Sequence, residues 1–158
     1  MCSLPQFLPP LLELNGSWER ALEMLYGVFK KDFIEQPLFY DSSRVGWDRR
    51  IGDDNKEATF WHLITREDPQ MGRIPDYKRA RRLHWTRPTI MNHTNVEVKE
   101  WNYLEGSRRT RKYLWLEDYD FCVVLEIARK TAALILVTAF YVEKGKRRDL
   151  EGRYQKRV

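Results

Sequence analysis

The spacing of the large apolar residues changes along this chain, and that change limits the folds open to it. After Ser17, residues Trp18, Leu22, Leu25, Phe29 and Phe33 recur every three or four positions, the period of one helix face, and Ser17 is a good N-cap. Further on, "LHWTRPTIM", "KYLWLED", "DFCVVLEIA" and "ALILVTAFYV" are dense in β-branched and aromatic residues, as strands are. The last two are joined by "RKT", a hairpin-length connection, and "NVEVKEW" reads as a further short strand or a loop. Helices come first and strands second, which describes an α+β domain rather than an alternating α/β one. The expectation is N-terminal helices packed on a four-stranded antiparallel sheet, followed by a basic helical tail.

The 158 residues are most simply one domain. Its parts are an N-terminal arm over 1–14, a helical part over 15–83, the sheet over 84–142 and the tail over 143–158. The first helix should end before Pro37, and "PLFYDSSRVGWDRRIGDDN" is turn-rich. Asp54 is expected to cap a second helix, with Glu57 three residues on as in a capping box and Phe60, Leu63 and Ile64 as its buried stripe. "REDPQMGRIP" breaks that helix, and Asp76 caps a short basic one, "DYKRARR". In the tail "KGKRRDLEGRYQKRV", Leu150 and Tyr154 are the anchors, and Gly152 weakens the helix.

Composition narrows the functional classes. The only cysteines are Cys2 and Cys122, and Cys122 lies in the apolar run "FCVVLEI" as a small buried hydrophobe. No disulfide framework follows, and a reducing, cytoplasmic setting fits. The opening "MCSLPQFLPPLLELNGS" has no positive n-region and several prolines, so it makes a poor signal peptide. No apolar run approaches the ~20 residues of a membrane span, and no membrane partner is expected. The net charge of +5 admits an anionic partner. Basic residues interleave with aromatics through Lys78, Arg79, Arg81, Arg82, His84, Trp85 and Arg87, again through Arg108, Arg109, Arg111, Lys112 and Tyr113, and in the tail through Arg147, Arg148 and Arg153. Cations neutralise phosphates and aromatic faces stack on unpaired bases, so RNA is the expected partner.

One histidine stands out. In "EATFWHLITRED", His62 is displaced by roughly 100° per residue from the apolar stripe, and its neighbours one turn away are Ala58, Thr59, Thr65 and Arg66. A histidine titrates near neutrality and can take or give a proton, and Arg66 can grip a phosphate. In "LVTAFY", strand alternation puts Leu136, Thr138 and Phe140 on one face and Val137, Ala139 and Tyr141 on the other. A hydroxyl in such a strand can bind a phosphate oxygen where it faces a cleft.

The pattern "FWHLITRE", then "PDYKRARRLHWTRPTI", then a hairpin ending in "LVTAFYVEKGKRRDLEGRY" resembles the phage- and plasmid-associated branch of the barnase/EndoU/colicin/RelE-like (BECR) ribonuclease superfamily. The resemblance runs roughly from Lys56 to Tyr154. It implies helices on a four-stranded antiparallel sheet and metal-independent RNA cleavage by 2′-hydroxyl attack on the adjacent phosphate, without a cofactor. It also implies toxin-type activity, with an antitoxin or immunity protein as partner, although some relatives bind RNA without cutting it. The family's helical histidine corresponds to His62, its arginine before the first strand to Arg82, and its hydroxyl on the last strand to Thr138. These are the expected catalytic residues. Arg66, Arg79, Arg109, Lys112, Tyr141 and Arg148 are expected to bind substrate.

Competing readings differ in their chemistry. Pro75-Asp76 followed by Glu97-Val98-Lys99 spells the PD…ExK pattern, in which Asp76 and Glu97 would hold Mg²⁺ and Lys99 would orient water. Asp76 has the simpler role of N-cap. "EDYD" reads as a turn. His62, His84 and His93 show no zinc-ligand spacing, and no Gly-rich phosphate loop or serine or cysteine nucleophile motif is present. A non-catalytic RNA-binding or protein-interaction module on the same fold would keep its affinity without His62; an enzyme would lose turnover.

Overall fold

The computed structural model describes residues 3–158, so Cys2 lies outside the described residues. Helix α1 (Trp18–Phe29) starts at Ser17, whose hydroxyl accepts from the Arg20 amide. Its stripe Ala21, Leu25 and Phe29 is buried, and a wider turn over Lys30–Ile34 carries the stripe on to Phe33. The arm before it lies on the body: Leu8 is buried, the Leu12 amide donates to Arg81 O and the Trp85 indole donates to Pro9 O.

Two short strands follow, β1 (Phe39–Tyr40) and β2 (Ser43–Trp47), then helix α2 (Ala58–Ile64) and a hairpin, β3 (Thr65–Asp68) and β4 (Gly72–Pro75). Helices α3 (Tyr77–Ala80) and α4 (Thr86–Met91) precede four long strands: β5 (Lys99–Glu105), β6 (Arg109–Leu116), β7 (Phe121–Ile127) and β8 (Leu134–Tyr141). Helix α5 (Lys144–Gln155) closes the chain. The α+β class therefore stands.

The sheet is larger than expected. It has six strands in the order β1-β2-β8-β7-β6-β5, and β2 runs parallel to β8, with Val45, Gly46 and Trp47 opposite Leu134, Ile135 and Leu136. In "SRVGW" only Val45 and Trp47 are buried, too brief an alternation to announce a strand inside a turn-rich stretch. Its partner lies about ninety residues away, so nothing local signals the pairing. The sheet curls until its edge strands meet: the Tyr40 hydroxyl on β1 donates to the Glu100 carboxylate on β5, and His93 bridges Glu100 and Asp41 at 2.9 and 2.8 Å.

Three local expectations need correction. "LHWTRPTIM" is a single-turn 3-10 segment (Leu83–Trp85) running into α4, not a strand. Its buried Leu83, Thr86 and Ile90 are three and four apart, and Pro88 falls in the first turn of α4, where a missing N–H costs nothing. Asp54 does not cap α2: Asp54 and Asn55 adopt left-handed φ of 54° and 56° in a tight loop, and Glu57 takes the N-cap position. The Glu57 carboxylate accepts from the Tyr26 hydroxyl at 2.7 Å, which ties the start of α2 to α1. "REDPQMGRIP" is the β3–β4 hairpin. Gly72, at φ +75°, supplies the left-handed residue that its short loop needs, and the Asp68 carboxylate accepts from the Gln70 and Met71 amides.

Two cores share the sheet. Phe29, Phe60, Leu63, Ile64 and Leu83 from the helices pack on the inner face with Leu114, Leu116, Val123 and Leu125. The outer face gathers Trp101, Tyr113, Trp115, Cys122 and Val124 under Leu150 of α5. Leu150 is fully buried, so the basic tail is a docked helix despite Gly152. Burying one such leucine is worth about 1.5–3 kcal/mol.

A bulge on β8 matters for the site. Val124 pairs with Thr138 and Leu125 with Leu136, which leaves Val137 as an extra residue. Leu136 therefore joins the inner core, while Val137 and Phe140 pack on the outer one. Thr138 shares a face with Phe140 but not with Leu136, so the strict alternation expected for "LVTAFY" fails at the bulge. Bulges re-aim side chains in this way and are frequent beside functional sites.

Candidate functional site

Strand β2 accompanies β8 only as far as Trp47 and Leu136. Beyond that point no strand of the described residues lies on the β2 side of β8, and α2 and α3 pack on β8. A cleft of about 640 Å³ opens at this place, lined from α2 by Thr59 and His62, from the hairpin by Arg66, Glu67 and Arg73, from α3 by Arg79, and from β8 by Leu136, Val137 and Thr138. Asp48 and Arg50 enter from the segment after β2, and Arg109, Arg111 and Glu126 from the ends of β6 and β7. Six arginines face three carboxylates there, so the cleft is cationic.

Helix α2 carries His62 out of the core because Phe60, Leu63 and Ile64 bury the opposite face. The end of the helix is fixed by Arg79, whose Nη1 donates to His62 O and to Thr65 O, each at 2.8 Å. These are among the carbonyls that a helix C-terminus leaves unpaired. Thr59 Oγ1 donates to Asp48 O at 3.0 Å and so ties the Asp48 segment to the same helix. Among the described residues the His62 ring makes no hydrogen bond, so both ring nitrogens are free for a ligand.

His62 is held below the ordinary histidine range. Loss of hydration in the cleft is the main cause, and repulsion from Arg73 and Arg79 adds to it against the pull of Asp48 and Glu67. The imidazole is therefore neutral at neutral pH and able to accept a proton. Asp48 is pushed down to about 2, chiefly by its bonds from the Arg50 side chain, at 2.6–3.1 Å, and from the Arg50 amide. It is a fixed anion, not a proton donor.

The arginines divide by occupation. Arg79 caps α2; Arg50 is clamped on Asp48; Arg73 Nε donates to Thr65 Oγ1 at 2.9 Å; Arg111 lies 3.5 Å from Glu126. Among the described residues, the Arg66 and Arg109 side chains have neither ion pair nor hydrogen bond, and both are exposed. They are the cations most available to an anionic ligand.

The structure thus brings together His62, Arg66, Arg79, Arg109 and Thr138, five of the residues expected from the sequence. It does not bring Arg82, Tyr141, Lys112 or Arg148 to them. Arg82 lies over the Tyr141 ring at 4.6 Å and over Trp85 at 5.4 Å, and its Nη1 donates to Lys78 O at 2.7 Å; its guanidinium is spent on packing and on the end of α3. Tyr141 lines a separate hollow with Lys78, Asp120 and Arg147. Lys112 lies on the inner face of the curl, 3.5 Å from Glu100 and over the Tyr40 ring. Arg148 stands on α5 beside Tyr103 and Arg153.

The PD…ExK residues are also apart. Asp76 caps α3, which packs on β8, and lies 3.6 Å from Arg79. Lys99 begins β5 at the far edge of the sheet, paired with Glu117 at 3.2 Å. Among the described residues, no group of three or more His, Cys, Asp or Glu side chains is arranged to hold a metal ion. No described helix is long and apolar enough to cross a membrane.

Asp48, Arg50, Arg73 and Glu126 went unread in the sequence, and Arg111 was visible only as part of a basic run. One signal was there to find: carrying the "KYLWLED" alternation back to "RTRKY" puts Arg109 and Arg111 on one face with Tyr113. No family model, curated protein or solved structure matches the chain.

Proposed function

We propose that the chain is a metal-independent endoribonuclease of toxin type that cleaves RNA by 2′-hydroxyl attack on the adjacent phosphate. The observation that carries this reading is a neutral His62, without a hydrogen bond among the described residues, that lines the same arginine-rich cleft as Thr138. Transesterification needs a proton acceptor for the 2′-hydroxyl, a proton donor for the departing 5′-oxygen and positive charge for the pentacovalent phosphate. His62 takes the 2′-hydroxyl proton as the P–O2′ bond forms, and the imidazolium returns a proton to the 5′-oxygen as the P–O5′ bond breaks. Arg66 and Arg109 hold the phosphate oxygens, and Thr138 donates a hydrogen bond to a non-bridging oxygen. Asp48 steadies the imidazolium that forms, and Arg79 holds the helix end from which the ring projects.

The resemblance to barnase/EndoU/colicin/RelE-like ribonucleases supports the same chemistry, with His62 and Thr138 in their expected roles. Arg82 leaves the catalytic set in this account, and the unpaired arginines of the cleft take over its charge. An antitoxin or immunity protein and a cytoplasmic site of action belong to the same reading. The test is cleavage of total RNA by the wild type, His62→Ala and Thr138→Val. Wild type should cleave, and His62→Ala should abolish cleavage while RNA affinity is retained. Equal RNA binding with no cleavage by any of the three would make the protein a binding module.

A further inference from the structure

His62 and Arg73 form a wall between two cavities. On one side is the cationic cleft; on the other is a second pocket of about 330 Å³, lined by Trp18, Trp61, Ala58, Thr65, Pro75 and the Gly52-Asp53 loop. The second pocket differs in kind. Its walls are two indoles and a proline ring; among the described residues that line it, Arg73 at the shared wall is the cation, with the neutral His62 beside it. Both indoles are braced. Trp61 Nε1 donates to Asp53 O at 3.0 Å, and Trp18 meets the Tyr77 ring edge-on at 5.2 Å. Rings held this way keep a slot open without collapsing into it, and both indoles remain partly exposed.

We infer that this pocket takes a nucleobase of the RNA whose phosphate lies in the cleft, and that Trp18 and Trp61 are the residues that stack on it. The inference rests on the ribonuclease reading for the identity of the chain, and on the geometry for the occupant. An aromatic-walled pocket beside a cationic one matches a nucleotide, which offers a flat apolar base next to an anion. The shared wall sets the spacing: a phosphate held in the cleft beside His62 leaves its own base or the next one facing the indoles. A stacked base must be unpaired, so the substrate is single-stranded at the cut. Trp18 lies outside the stretch that carries the family resemblance, so this assignment depends on the pocket alone.

The test is calorimetric titration of wild type, Trp18→Ala and Trp18→Phe with the four nucleoside 3′-monophosphates and with ribose 5-phosphate. The expected result is that at least one nucleotide binds wild type about tenfold or more tighter than ribose 5-phosphate. Trp18→Ala should lose that advantage while binding ribose 5-phosphate unchanged, and Trp18→Phe, which keeps a stacking ring and the packing against Tyr77, should retain most of it. Equal binding of nucleotides and ribose 5-phosphate by the wild type would overturn the base pocket and leave the phosphate-binding cleft standing. A Trp18-dependent nucleotide preference in a protein that cuts no RNA would overturn the ribonuclease reading and leave the pocket standing.

Discussion

Arg79 holds the backbone of His62: its Nη1 donates to the His62 carbonyl over 2.8 Å and to Thr65 O over the same distance. The residue expected from sequence to bind substrate is thereby a positioning residue for the histidine. Removing it leaves the last carbonyls of α2 without their partner and frees the helix end to fray. Arg79→Ala is expected to cost about 1–3 kcal/mol, the usual scale for charge-assisted hydrogen bonds at a largely covered site. Chemical denaturation checks the stability, and RNA cleavage by the folded variant should fall as well. Unchanged stability would mean that these bonds contribute nothing net.

The pH profile follows from His62. Its folded pKa lies below the ordinary value, and the neutral ring is the active form. Activity should rise with pH through a midpoint below about 6.5 and then level off. Arg73 repels a proton from the ring, so Arg73→Gln should move the midpoint upward, whereas Asp48→Asn, which removes an attraction, should move it down. Cleavage rates across pH for the three proteins measure this. A midpoint that ignores both substitutions would exclude His62 as the titrating base.

Thr138 directly follows the bulged Val137 of β8 and lines the cleft. Thr138→Val keeps the shape and removes the donor. The expected outcome is a ten- to thousandfold fall in kcat, at the scale of one lost transition-state hydrogen bond, with little change in Tm. Thr138→Ser should restore most of the rate. A variant that loses rate and stability together would point to packing in place of chemistry.

His93 makes a separate prediction for stability. Burial pushes its pKa down, but hydrogen bonds and charge from Glu100 and Asp41 outweigh this and raise it overall. The ring stacks on Tyr40 at 3.7 Å, and Lys112 lies 3.5 Å from Glu100, so the cluster joins the two edges of the curled sheet. The folded state holds this proton more tightly than the unfolded chain does. The stabilisation is therefore complete below about 6.5, the unfolded value, and is lost as pH rises through the folded pKa. Denaturant unfolding of wild type against His93→Gln across that interval should show a decline in the wild type that the variant lacks.

The position of His62 was legible before the fold because it depends on local period. His62 could be placed off the stripe of α2 by counting residues, but the same count put Arg66 one helical turn later, whereas α2 ends at Ile64 and Arg66 reaches the cleft from β3. The helix α1, the cap at Asp76 and the docked tail were legible for the same reason. What escaped depends on distant pairing. The partnership of β2 with β8 brings Asp48 and Arg50 to the cleft, and no local pattern in "SRVGWDRR" announces a parallel neighbour near residue 135. The bulge at Val137 resets which residues share a face, and a strict two-residue alternation has no means of showing an extra residue. Arg82 was misread because a basic helix looks alike on every side; only the packed structure shows its guanidinium against Tyr141 and Trp85.

The most direct test of the central claim is the cleavage of one single-stranded oligoribonucleotide in EDTA, beside a copy with 2′-deoxyribose at the cut position, by wild type and His62→Ala. Wild type should cut the ribose oligonucleotide to leave a 2′,3′-cyclic phosphate and spare the deoxy copy, and His62→Ala should yield no such product. Cleavage of the deoxy copy, or undiminished cleavage by His62→Ala, would contradict that claim.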